Sequence, residues 1–208
     1  MFHHVSRVLV ILMLISLAGV TFAAEDRELT ELELQYLADM ATHYKFEAEK
    51  LQGILETGLA LEEMPVTLHV HRLDGTNPVT LAEVRTRGDS WMPILKNRGA
   101  LRSDAFYIVI KSDIGSEVYA PTFAKFSAVP RDHWKSIDLA DDEIVNMVNL
   151  GFLYSHHDYS VFEIMAMRDK GMSFPEINSE VGQRKEAMIQ EQKRKLKQAQ
   201  AKETESGS

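Results

Sequence analysis

One stretch of this chain occurs twice, 83 residues apart, and no gap is needed to align the two copies. Val84-Arg85-Thr86-Arg87-Gly88-Asp89-Ser90-Trp91-Met92-Pro93-Ile94 pairs with Met167-Arg168-Asp169-Lys170-Gly171-Met172-Ser173-Phe174-Pro175-Glu176-Ile177. Arg, Gly, Ser and Ile coincide, Trp meets Phe, and Arg87 meets Lys170. A second glycine, Gly99 or Gly182, follows each first one at the same distance, and upstream Leu81 falls on Ile164. A fainter copy lies thirty residues before the middle one. It keeps Gly58, Leu61, Met64, Leu51 and Ile54 but has Leu55 and Ala60 in place of Arg and Ser. Repetition on this scale predicts a chain built from one supersecondary unit, stacked so that neighbours share a core.

The unit itself is helix, tight turn, helix. Leu81 and Val84, or Ile164 and Met167, have helical apolar spacing. A basic residue and then Gly88 or Gly171 form a helix stop: the cation faces the dipole, and glycine takes the left-handed position without steric cost. Ser90 and Ser173 suit the N-cap of the next helix. Trp91 with Ile94, and Phe174 with Ile177, form its inward stripe, which Gly99 or Gly182 is expected to end. A further helix precedes each pair, marked by Leu34, Leu37 and Met40, by Met64 and Val70, and by Met147, Leu150 and Leu153. Residues 61–73 would then close one unit and open the next. Against this, Val66-Thr67-Leu68-His69-Val70-His71 alternates apolar and polar as a strand does. The repeat favours helix there.

The expected fold is therefore mainly α, with tandem helix-turn-helix-like repeats and a short β-hairpin or extended insert. Repeats one and two occupy 24–100, the insert 101–140 and the third repeat 141–184. Within the insert, Phe106–Ile110 reads as one strand, 111–116 as a turn, and Val118–Ala120 as the returning strand. Residues 185–208 are rich in Lys, Gln and Glu, which predicts a charged helix and a disordered end.

Residues 1–23 read as a cleavable export signal. Arg7 precedes an apolar run from Val8 to Val20, and Thr21 and Ala23 place small residues at the cut. The run is short for a membrane span, and no later segment approaches spanning length. Export to the periplasm or beyond is the expectation. Zero Cys excludes a disulfide framework, a thiolate metal site and a cysteine nucleophile. A net charge of −8 repels nucleic acid and anionic lipid at long range.

The pattern Arg-x-basic-Gly-x-Ser-aromatic-x-x-Ile resembles the second and third helices of tri-helical helix-turn-helix domains. That resemblance implies base reading from Met92, Leu95 and Lys96 in the middle copy and from Asn178 and Ser179 in the last. Base-reading Arg, Asn or Gln are scarce among these positions, so the likeness is one of architecture. The repeats are also similar to those of exported bacterial helical-repeat proteins with no assigned activity.

His156-His157-Asp158 is the densest candidate for metal chemistry, since imidazole and carboxylate are the ligands a thiol-free site would use. Neighbouring histidines diverge on a helix, so partners such as His43, His69 or His71 would be needed. Glu62-Glu63 and Asp141-Asp142-Glu143 could act as paired acids, but at helix starts they complement the dipole. Ser90 and Ser173 lack a Gly-x-Ser-x-Gly context for nucleophilic work. Lys193–Lys197 reads as a solvated face or a contact for an acidic partner or membrane surface. Taken together, these features lead to an exported, non-catalytic protein-interaction or structural module of the bacterial envelope, with no cofactor and a protein partner. A metal-binding protein and a nucleic-acid-binding module are the alternatives.

Overall fold

The computed structural model describes residues 28–97, 102–108 and 115–206. The export segment expected over 1–23, Gly99, and the end of the first expected insert strand lie outside these residues. Nine α-helices and three short 3-10 segments make up most of the described residues, with no strand among them. The helices are α1 (Glu31–Tyr44), α2 (Ala48–Leu55), α3 (Met64–Asp74), α4 (Pro78–Thr86), α5 (Trp91–Asn97), α6 (Ala120–Ser127), α7 (Asp141–His157), α8 (Val161–Asp169) and α9 (Phe174–Ser206). They cluster into two compact units that divide between Asp89 and Ser90.

Helix boundaries recur at the spacings found in the sequence. The first helix of each set ends before a left-handed residue: Lys45 (φ 55°), Gly75 (φ 77°) and Asp158 (φ 50°). The next helix starts at Ala48, Pro78 and Val161 and stops before Gly58, Gly88 and Gly171, all at positive φ. At these three glycines an added Cβ would meet nothing within 4 Å, so only backbone conformation calls for glycine there.

In the first unit, α3 is the central element, with Met64, Val66, Thr67, Leu68 and Val70 all buried, and it packs on α1 and α4. The alternating stretch 66–71 is therefore helical. Its supposed polar position Thr67 is a core residue whose hydroxyl donates to the Met64 carbonyl (2.8 Å). A helix buried over most of its surface from Met64 to Val70 loses the one-sided pattern by which sequence distinguishes helix from strand. Pro65 opens this helix and Gly75 closes it. At the unit's start, Thr30 and Glu33 form a reciprocal capping box.

In the second unit α7, α8 and α9 pack on one another, and α5 lies against α7. The Asp141 carboxylate accepts from the Trp91 amide at 2.7 Å, and Lys96 pairs with Asp138. These ties place α5 in the second unit, so the division between the units falls inside the middle copy's turn.

Two expectations need correction. The insert holds no hairpin among its described residues: Val118-Tyr119-Ala120 is a turn running into α6, not a returning strand. Ser116 Oγ accepts from the Tyr119 amide (3.2 Å), turning the chain, and Pro121 suits the first turn of a helix. Tyr107, which suggested a strand, serves an aromatic cluster instead. Tyr107 sits 4.1 Å from Phe126 and 4.5 Å from Trp134 between ring centroids, and the Trp134 indole donates to the Phe126 carbonyl. Burial holds the Tyr107 hydroxyl above its ordinary pKa. Gly182 does not end a helix either, because α9 runs through it to Ser206. Lys, Gln, Glu, Arg and Ala, strong helix formers, dominate after it and offset the roughly 1 kcal/mol that one interior glycine costs.

Candidate functional site

The histidine cluster sits at the last turn of α7. His157 is buried, and its Nε2 lies 2.8 Å from Asn178 Oδ1 on α9. Asn178 Oδ1 can only accept, so with this rotamer Nε2 carries the proton. Lys185 donates to the His157 carbonyl. The His156 ring meets the His157 ring edge-on at 4.7 Å and leans on Phe152 at 5.6 Å. Asp158 stands apart from this pair: it is the left-handed cap of α7, its side chain is 95% exposed, and its carboxylate is 3.9 Å from Lys185. The structure thus brings the two imidazoles together and turns the carboxylate toward a lysine. Imidazoles so placed could supply nitrogen ligands to a borderline metal.

His43 and His71 have local partners. His43 Nε2 is 3.2 Å from Arg72 Nη1, and His71 Nδ1 is 3.0 Å from the Thr76 carbonyl, with Phe46 edge-on to its ring. Half-buried His69 lies two residues before His71 on α3, so their side chains diverge by about 200°. Arg72 lies over the Tyr44 ring at 5.0 Å, and burial raises the Tyr44 hydroxyl's pKa despite that cation.

The acidic and hydroxyl candidates hold the fold. Glu143 closes back on the Ala140 amide at 2.6 Å and pairs with Lys125. Ser173 and Glu176 form a capping box, and the Ser173 amide's bond to the carboxylate holds Glu176 below the usual carboxylate range. Ser90 makes no such box, because Pro93 stands where Glu176 does. The base-reading positions implied by the helix-turn-helix resemblance are spent on packing: Met92, Leu95, Asn178 and Ser179 are buried, and Lys96 is paired.

Sequence reading missed a clamp built on the repeated arginine. Arg85 Nη1 donates across the glycine turn to the Asp89 carbonyl (3.0 Å), and Arg168 Nη1 does the same to the Met172 carbonyl (3.0 Å). Each Nε reaches back to the end or body of the preceding helix: Arg85 to Glu63 at 2.9 Å, Arg168 to Asn146 at 3.3 Å. Glu63 and Asn146 are themselves 83 residues apart. The signal was present, but unlike residue types at that position concealed it.

Two surface features remain. In the first unit, α2 and α4 flank an open groove of about 640 Å³ lined by Gly53, Glu56, Thr57, Val79, Glu83 and Arg87. In the second, α9 continues far beyond its packed part: residues 186–200 are exposed apart from half-buried Glu191, and Met188, Ile189 and Leu196 stand in solvent. No helix among the described residues is long and apolar enough to cross a membrane. No family model, no curated protein and no solved structure matches the chain.

Proposed function

We propose that the protein is an exported helical-repeat module of the bacterial envelope that acts by binding another protein and carries no catalytic site. The supporting observation is the arm of α9. The helix continues for about 21 residues, or ~31 Å, past Lys185, with an incomplete apolar stripe at Met188, Ile189 and Leu196. Such a helix, polar over most of its circumference, gains little from its own chain and is suited to a partner. Met188 and Leu196 on this arm are 57% and 63% exposed. Glu63, Asp141, Glu143 and Ser173 are engaged in caps and ion pairs, which favours binding over catalysis.

Photo-crosslinking in the producing cell tests this. A crosslinking side chain at Met188 or Leu196 is expected to give a discrete adduct in the envelope fraction, while one at exposed Glu49 gives none. An exported, cleaved chain with no adduct at either arm position would defeat the reading.

A second reading, metal binding, rests on the paired His156 and His157 rings. Elemental analysis of protein purified without chelator checks it: stoichiometric zinc or copper, lost in His156→Ala, supports it, and trace metal only rules it out.

A further inference from the structure

The arm and the groove have complementary chemistry. Between Gln192 and Gln198 the arm reads Gln-Lys-Arg-Lys-Leu-Lys-Gln, four cations and no acid, in a chain of net charge −8. Residues 28–89, the described part of the first unit, hold twelve acidic and five basic side chains. The groove there sets Glu56 and Glu83 beside Val79 and the bare backbone of Gly53, where an added Cβ would lie 3.4 Å from Val79. The one cation of its lining, Arg87, turns its Nε to the Glu83 carbonyl (3.0 Å).

We infer that the arm of one molecule docks in the α2–α4 groove of a second copy of this chain, Leu196 against Val79 and Lys193, Lys195 and Lys197 toward Glu56 and Glu83. This rests on the interaction reading above and names its partner. A helix footprint about 10 Å wide and ~30 Å long covers roughly 300 Å² on each side. One docked arm is therefore too small for a stable complex, but two arms exchanged about a two-fold axis bury about 1,200 Å², the lower bound of stable interfaces. Reciprocal exchange also closes the assembly, whereas one-way docking would propagate into filaments.

The test is sedimentation velocity on the purified full chain at low ionic strength and high protein concentration, with circular dichroism as the folding check. A salt-sensitive dimer is expected. Reversing the arm (Lys193→Glu, Arg194→Glu, Lys195→Glu, Lys197→Glu) should weaken it at least about tenfold, as should reversing the groove (Glu56→Lys, Glu83→Lys). A chain carrying both reversals should dimerise again, which a merely structural defect would not allow. A monomer at every concentration, or a dimer indifferent to both reversals, overturns the inference. So does a monomer whose arm binds phosphatidylglycerol vesicles, which would assign it to a membrane surface. If arm crosslinks form in cells while the pure chain stays monomeric, the second copy is wrong and the interaction reading stands. If both fail, both fall.

Discussion

The turn after α4 and the turn after α8 are the same device carried out with different chemistry. Each has an arginine bonded across a left-handed glycine to the carbonyl beyond it. In the first unit, Arg85 also makes two bonds to Glu63, Nε to Oε2 and Nη2 to Oε1, with both side chains only 19% exposed. In the second, Arg168 meets the neutral amide of Asn146 and lies 4.3 Å over the Phe174 ring. The first clamp is mainly ionic, the second mainly a stack. The shared part is the backbone bond across the turn, which fixes where the next helix begins. Partners can change provided the guanidinium stays planar and in place, which lysine could not do.

The largest effect should come from the stack. Phe174 is fully buried, so Phe174→Ala should cost about 3–5 kcal/mol through its cavity, and it removes the surface on which Arg168 rests. Urea denaturation measures the loss, and hydrogen exchange should show lost protection in α8 and the first turns of α9. A cost below about 1 kcal/mol would mean the ring is not the base of the clamp.

The arginines come next and separate ion pair from stack. Arg85→Ala leaves Glu63 partly buried without its fork and should cost roughly 2 kcal/mol, below the value for a fully buried pair because both groups keep some solvent. A double-mutant cycle of Arg85→Ala with Glu63→Ala should give a coupling of about 1–2 kcal/mol that shrinks in high salt. The cycle of Arg168→Ala with Asn146→Ala should give under about 1 kcal/mol, unchanged by salt. Equal salt dependence in the two cycles would break the distinction.

Glycine substitutions test what the two turns share. Gly88→Ala and Gly171→Ala should each cost about 1–2 kcal/mol, the penalty of a side chain in the left-handed region, since their surroundings are open. Asp158→Gly should go the other way by up to about 1 kcal/mol, because Asp158 holds a left-handed position that glycine fills at Gly75. Thermal or urea unfolding reads all three.

That Asp158 takes the place of Gly75 also shows how far sequence could go. Gly58, Gly88 and Gly171 announced their turns because no other residue is as free at positive φ, and the repeated spacing carried the helices with them. Lys45 and Asp158 adopt the same conformation without announcing it. His156-His157-Asp158 therefore read as a ligand set when its third member is a helix cap. The insert failed for another reason: Tyr107 and Tyr119 are strand-favouring by type, but their rings and hydroxyls are used in tertiary contacts that leave no local period. Gly182 failed because the formers following it outweighed one breaker. The groove was beyond reach, since Gly53, Val79 and Glu83 meet only once α2 crosses α4.

The smallest effects lie at the two serines, where identical sequence conceals different caps. Ser173→Ala removes a working box and should cost about 1 kcal/mol, whereas Ser90→Ala should change stability by a few tenths, because Asp141 already accepts from the Trp91 amide. The pH dependence sharpens the contrast. Glu176 is held below its ordinary pKa, first by the Ser173 amide and then by the Ser173 hydroxyl. Its contribution is thus fully present above the unfolded carboxyl's pKa, about 4.3, and is lost as pH falls through the lower folded value. The cost of Ser173→Ala should be constant from neutral pH down to that range and should narrow below it. That of Ser90→Ala should show no such narrowing. Urea midpoints for the three proteins across the acid range decide this, and parallel curves for both variants would show that Glu176 does not act through Ser173.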